Sequence, residues 1–211
     1  MFISFVLEII ALVFFTFFGM SIAPNDINRN NSSTAILITP IFGLSAWLVI
    51  CIFFGFFISY NRFFLSVLLI VCGIFIFYKR DKIIIKFDRN ILLFVLLVVI
   101  SSFYVLCCVL PKEINGGLYF TPSAFDHQRT AIINSIASTG IPPLNPYLSL
   151  NGVSEVLYYH FGFQALAAQF RILFGVDGLI AGAALNALVH VLVINALGFV
   201  IVCTSHSNTS F

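Results

Sequence analysis

"FISFVLEIIALVFFTFFGMSI", residues 2–22, is a run of 21 residues interrupted by a single charge, Glu8. At about 1.5 Å per residue, such a run is long enough to cross the roughly 30 Å of hydrocarbon in a bilayer. No basic residue precedes it and an acid lies within it, so it reads as a retained anchor and not as a cleaved signal peptide. The pattern recurs at about 35–59, 63–78, 91–110, 158–175 and 179–203. The third run is the shortest and sits only a "YNR" away from the second, as half of a tight hairpin would. Across the chain 61% of residues are hydrophobic, 9% are charged, and 26 are Phe. The expected fold is therefore all-α, a polytopic transmembrane helical bundle of about six spans. Residues 1–110 would hold the first four spans, 111–157 a loop outside the membrane, and 158–211 the last two spans and a short tail.

Charge and cysteine usage narrow the function classes. A formal charge of +2 with scattered Lys and Arg gives no basic stripe for nucleic acid, so no nucleic-acid partner is expected. All five cysteines fall inside apolar runs without CxxC or Cys/His spacing, and they read as small apolar residues. Orientation follows from the segment "KRDKIIIKFDR" (79–89), which carries five of the ten basic residues and belongs on the cytoplasmic side. That choice places the N-terminus, "YNR" and the loop 111–157 outside, and the turn "GVDG" after Arg171 inside. The protein is expected in a bacterial inner membrane as a multi-pass protein.

The outer loop contains "TPSAFDHQRTAIINSIASTGIPPLNPY" (121–147), the longest polar-tinged stretch of the chain. Thr121 or Ser123 can cap a helix, Pro122 suits its first turn, and Gly140 followed by "IPP" ends it, which predicts a helix over 123–139. Phe125, Ile132, Ile133 and Ile136 share one face, so the helix is expected to lie in the membrane interface. "PPLNPY" (142–147) is expected to be a rigid extended connector.

Asp126, in the first turn, has two readings. "SAFD" fits a capping box, and an acid there also meets the positive end of the helix dipole. The alternative is a catalytic acid. Asp126 and His127 point about 100° apart on a helix, which does not make them a pair. Arg129, three residues on, has the spacing of a surface ion pair. His160 with Tyr158 and Tyr159 has the composition of an interfacial aromatic belt.

"FDHQRTAIINSIASTGIPPLNPYL" (125–148), followed after a short gap by "YYHFGFQALAAQ" (158–169), resembles the first outer loop of GT-C-type polytopic membrane glycosyltransferases and their bacterial relatives. The upstream "ITPIFGLSAWLVICIFFGF" (38–56) is similar to an early helix of those relatives, so the resemblance covers about residues 35–190. It implies transfer of sugar from a polyprenyl-phosphate donor to an envelope acceptor on the outer face. On this resemblance Asp126 would be the general base; Arg129, His127 and His160, with Tyr159, are candidates by charge and location alone for binding the substrate and neutralising its phosphate. No cofactor is implied; a divalent metal would need the loop acids Glu113, Asp126 and Glu155 to meet in space, since no cluster has ligand spacing. The family's enzymes continue with further spans, so a partner subunit or further C-terminal sequence is expected. The competing expectation is a non-catalytic accessory module of envelope polysaccharide assembly, in contact with membrane lipids.

Two ionisable groups lie within spans. Glu8 is expected to snorkel to the outer interface, and His190 to make an interhelical hydrogen bond, helped by the small residues of "GLIAGAALNALVH" (178–190). The orientation is testable by labelling of single cysteines in a cysteine-free background. Asn115→Cys and Asn151→Cys should react with an impermeant reagent from outside and Ile84→Cys should not; labelling at 84 would overturn the orientation.

Overall fold

The computed structural model describes residues 2–24, 32–83, 89–109, 112–115, 117–119, 125–150, 153–157 and 161–207. Within them are seven α-helices: α1 (Phe2–Ile22), α2 (Ser32–Gly55), α3 (Arg62–Tyr78), α4 (Arg89–Val109), α5 (Phe125–Thr139), α6 (Gly162–Phe174) and α7 (Gly178–Ser207). A 3-10 turn, Arg80–Lys82, follows α3. The apolar runs thus became helices with bounds close to those expected. Phe2–Ile22, Ile36–Gly55 and Gly178–Ile201 are long and apolar enough to cross a membrane. Large side chains such as Phe53, Phe63, Ile70, Phe77, Leu92 and Ile201 stand exposed on the helix flanks, a surface that only lipid can cover favourably. The protein is a helical membrane protein.

The described residues are mostly helical, and two short hairpins accompany the helices. Two antiparallel hairpins lie in the 111–157 segment: β1 (Lys112–Ile114) with β2 (Gly117–Tyr119), and β3 (Leu144–Leu150) with β4 (Val153–Val156). In the sequence an Asn-Gly dipeptide, Asn115–Gly116 or Asn151–Gly152, lies between the strands of each pair, the strongest short-range hairpin signal in a sequence. Asn115 has φ 52, the left-handed conformation that such turns demand. Of "PPLNPY", the part from Leu144 onward is extended, as a strand of the β3–β4 pair and not a free connector, while Pro142 lies in a bend.

The tightest contact in the bundle is between α1 and α2. A Cβ on Gly19 would sit 1.8 Å from the Thr39 carbonyl oxygen, and one on Gly43 would sit 2.0 Å from that of Phe15. The two backbones therefore touch, which is how helices associate where lipid removes the hydrophobic drive between them. Phe14 packs edge-on against Trp47 at 5.2 Å and stacks on Phe18 at 5.9 Å, filling the space on either side of the crossing.

Pairwise contacts show which helix ends lie together. The Ser4 hydroxyl of α1 donates to the Ile180 carbonyl of α7 at 3.4 Å, so α1 and α7 start at the same end. Glu8 of α1 accepts from the Ser102 hydroxyl near the end of α4, and Val105 and Leu106 cluster with Ala183 and Ala187 of α7. Ile141, just after α5, meets Gly55 at the end of α2. Leu37, near the start of α2, reaches Gly198 far along α7. The starts of α1 and α7, the ends of α2 and α4, and the α5 region thus share one end of the bundle.

This arrangement changes four expectations. The expected span at 158–175 is α6, whose 13 residues cover about 20 Å, short of the hydrocarbon thickness. The turn after Arg171 lies at the same end as Tyr60 and the α5 region, whereas the sequence reading put it on the opposite side from "YNR". Glu8 does not snorkel. It is fully buried, held by Ser102. His190 is exposed and its Nδ1 contacts the Asn186 carbonyl of its own helix at 2.7 Å.

The crossing predicts asymmetric tolerance to a small side chain. Gly19→Val and Gly43→Val should lower the detergent melting temperature, by the equivalent of about 1–3 kcal/mol or more. Gly73→Val on α3, where an added Cβ meets nothing within 4 Å, should leave it nearly unchanged. Equal effects at all three positions would contradict the close contact.

Candidate functional site

Helix α5 is fixed by its isoleucines. Ile132, Ile133 and Ile136 are buried, the last completely, and the residues around them come from α6 and α7. The apolar face read from the sequence is thus real, but it docks on protein. Thr130 and Asn134 pack on Gly178, and Ile133 on Gly182, at the start of α7. At its far end the Gly140 amide donates to the Ile136 carbonyl at 2.9 Å and the backbone turns at φ 89, the stop expected from "GIPP". The Ser135 hydroxyl donates to the Leu144 carbonyl and ties α5 to β3.

Helix α6 is the second fixed element, and its buried residues, mostly apolar, include two glutamines. Gln164 and Gln169 are both buried. Gln169 Oε1 accepts from the indole N–H of Trp47, the single Trp of the chain, at 2.6 Å. Tyr60, buried between α2 and α3, donates to the Ala165 carbonyl at 3.2 Å. Burial pushes its phenol well above the ordinary value, which keeps the hydroxyl a donor. In the α6–α7 turn Gly175 takes φ 69 and its amide donates to Arg171, closing α6. Asp177 then accepts from the Leu179 amide at 2.8 Å and caps α7. Arg171 lies 3.9 Å from Asp177 with both side chains well exposed, which contributes little.

Against this frame the expected site residues fall as follows. Asp126 and His127 belong to the first turn of α5, and their side chains lie outside the described residues. So do Ser123, Tyr159 and His160. Arg129 is exposed, with its guanidinium 5.8 Å from the centre of the Phe163 ring at the start of α6. That is a cation–π geometry. Beside it a cavity of about 20 Å³, bounded by Thr130, Phe163, Gly182 and Asn186, has room for a water and no more. Arg129 is therefore placed at the junction of α5, α6 and α7. Glu155 is exposed on β4, and among the described residues no three His, Cys, Asp or Glu side chains group as metal ligands.

The sequence reading missed one feature of this end, an open cleft of about 440 Å³ between α5 and β3. It missed it because the cleft needs β3, which was read as a connector.

No known family profile matches the chain, and no solved structure matches it. It is 31% identical over 80 residues to an uncharacterised protein, y4nK of Sinorhizobium fredii; the aligned part is 38% of this chain and 12% of that protein. The chain thus matches only a small part of that relative's length.

The docking of α5 can be tested directly. Ile136→Ala should destabilise by about 2–5 kcal/mol, the usual cost of emptying a buried aliphatic site, and should speed hydrogen exchange throughout α5. Unchanged protection of α5 would contradict the packing described.

Proposed function

We propose that this chain is the membrane-embedded front part of a GT-C-type glycosyltransferase, passing sugar from a polyprenyl-phosphate donor to an envelope acceptor at the outer face. The observation that supports it is the placement of α5. An isoleucine-anchored helix at one end of the bundle carries an acid, Asp126, in its first turn and a cation, Arg129, three residues on. In this reading Asp126 takes the proton of the acceptor hydroxyl as that oxygen attacks the anomeric carbon. The glycosidic phosphate leaves, and Arg129, with His127 and His160, balances its charge. Tyr159 is the remaining candidate for substrate binding in this reading.

The membrane arrangement proposed with it has five crossings, α1, α2, α3, α4 and α7, with α5 and α6 at the outer end. α6 then enters and returns on one side. Arg171 moves outside, and the basic cluster at 79–89 still sets the orientation. The inner membrane of a bacterium is the setting that a polyprenyl-phosphate donor requires.

The alternative is a non-catalytic module of envelope polysaccharide assembly, in which Asp126 only caps α5. The two readings make different demands on one side chain. Asp126→Asn, made in the protein or complex that shows sugar transfer, should abolish transfer with little change in expression or melting. Ser123→Ala, which damages capping alone, should cost about 0.5–2 kcal/mol and leave turnover nearly intact. If the two variants behave alike, the general-base role is lost and the loop is a scaffold.

A further inference from the structure

We infer that Glu8 of α1 holds its proton at neutral pH and donates it to Ser102 of α4, which makes this pair a buried proton-binding site about two turns into α1. The inference stands apart from sugar transfer, since neither residue belongs to the proposed site. Glu8 is completely buried, and its two carboxyl oxygens differ. Oε1 meets the Ser102 hydroxyl, whereas Oε2 is buried with no hydrogen-bond partner among the described residues. An ionised carboxylate would spread a full charge over both oxygens and leave half of it buried and unpaired. A neutral acid leaves only a carbonyl oxygen unpaired, at far lower cost.

No cation offsets such a charge. Among the described residues no ion pair includes Glu8. Helix α1 packs on α2, α3, α4, α7 and the turn Arg80–Lys82. Lys79 and Arg80 lie over the Tyr78 and Phe77 rings at the end of α3, with Asp81 and Lys82 next in the chain. Arg89 opens α4, about 20 Å before Ser102 along the helix. Arg62 is exposed at the start of α3, His190 is exposed with its Nδ1 on the Asn186 carbonyl, and His206 comes near the far end of α7. The tyrosines and cysteines of these helices are uncharged at neutral pH.

Ser102 supplies the second argument, a count of protons. Its Oγ lies within hydrogen-bond distance of Glu8 Oε1 and of the Val98 carbonyl, the latter at 2.7 Å. A serine hydroxyl has one proton to give. With Glu8 ionised, giving it to either oxygen leaves the other facing Oγ with no proton between them, and sharing it weakens both contacts. The oxygen positions fit either sense of donation between Glu8 and Ser102. A proton on Glu8 satisfies both contacts at once: the acid donates to Ser102 Oγ, and Ser102 donates to Val98 one turn back, as helical serines do. Helix α4 is thereby held on α1 by a hydrogen bond between neutral groups.

The test uses the whole chain, made by cell-free synthesis with glutamate isotope-labelled at its side-chain carboxyl carbon, in phosphatidylcholine nanodiscs at neutral pH. The glutamates are Glu8, Glu113 and Glu155, so Glu113→Gln with Glu155→Gln leaves Glu8 as the labelled one. The infrared spectrum of that protein should show the carbonyl absorption of a protonated acid, displaced by the label from lipid esters and aspartates, and no labelled carboxylate. Ser102→Ala in the same background should move this band to higher frequency, the mark of a lost hydrogen-bond acceptor. Glu8→Gln, neutral and still able to donate to Ser102, should melt close to the parent chain, and Glu8→Ala should melt lower. A labelled carboxylate in the folded protein overturns the inference, whether it persists in every buffer or appears only with sodium, which would make the site one for a metal cation. An acid band that ignores Ser102→Ala, or a Glu8→Gln protein that melts as low as Glu8→Ala, overturns the donation to Ser102.

Discussion

Backbone contact between α1 and α2 at Gly19 and Gly43 is the constraint on which the rest of the bundle depends. A side chain at either position would occupy the carbonyl of the facing helix, so glycine there permits a proximity that no other residue allows. In a membrane, where burial of apolar surface between helices gains little over lipid, this closeness supplies dispersion contacts that looser packing forfeits. Trp47, Phe14, Phe15 and Phe18 then pack around the crossing. Helix α7 lies along the pair with Ala181, Ala184, Leu185 and Leu188 buried, and the Glu8–Ser102 hydrogen bond holds α4 against α1.

The position of α7 in turn determines where the α5 region sits. Because α7 starts beside the start of α1, the α6–α7 turn is brought to the end that also holds Tyr60 and α5. Short α6 is then fastened there through Trp47–Gln169 and Tyr60–Ala165, hydrogen bonds whose partners are buried and would be costly to leave unpaired. These elements make the docking surface for Ile132, Ile133 and Ile136. A flexible outer loop would present Asp126 and Arg129 in many orientations. A docked α5 presents its first turn from a fixed base.

Helix bounds were legible in the sequence because apolar length and the stops at Gly140 and Gly175 are local signals. The same reading went astray where the deciding fact was spatial. For α6 the hydropathy of 158–175 resembles a span, whereas the helix has 13 residues and packs at one end of the bundle. Glu8 looked shallow enough to reach water, but its rotation about α1 faces it toward Ser102. Gly19 and Gly43 gave no signal of partnership, since nothing in either run says which helix it will meet. The hairpins are a different case: Asn115–Gly116 and Asn151–Gly152 are a strong local signal, but the strands beside them are short and lack a clean two-residue alternation. Of the candidate site, the docked face of α5 was readable from period alone, and the cleft beside it was not, since it requires β3.

The central claim is that α6 returns without crossing, so that α5, α6 and the start of α7 share one membrane face. Impermeant-thiol labelling of single cysteines at Val176 and Phe57, in the cysteine-free chain in oriented vesicles, tests it most directly. The account predicts that both label from the same side and that a cysteine at Asp81 labels only from the other. Labelling of 176 from the side of 81 would make α6 a crossing helix and contradict the arrangement on which the site rests.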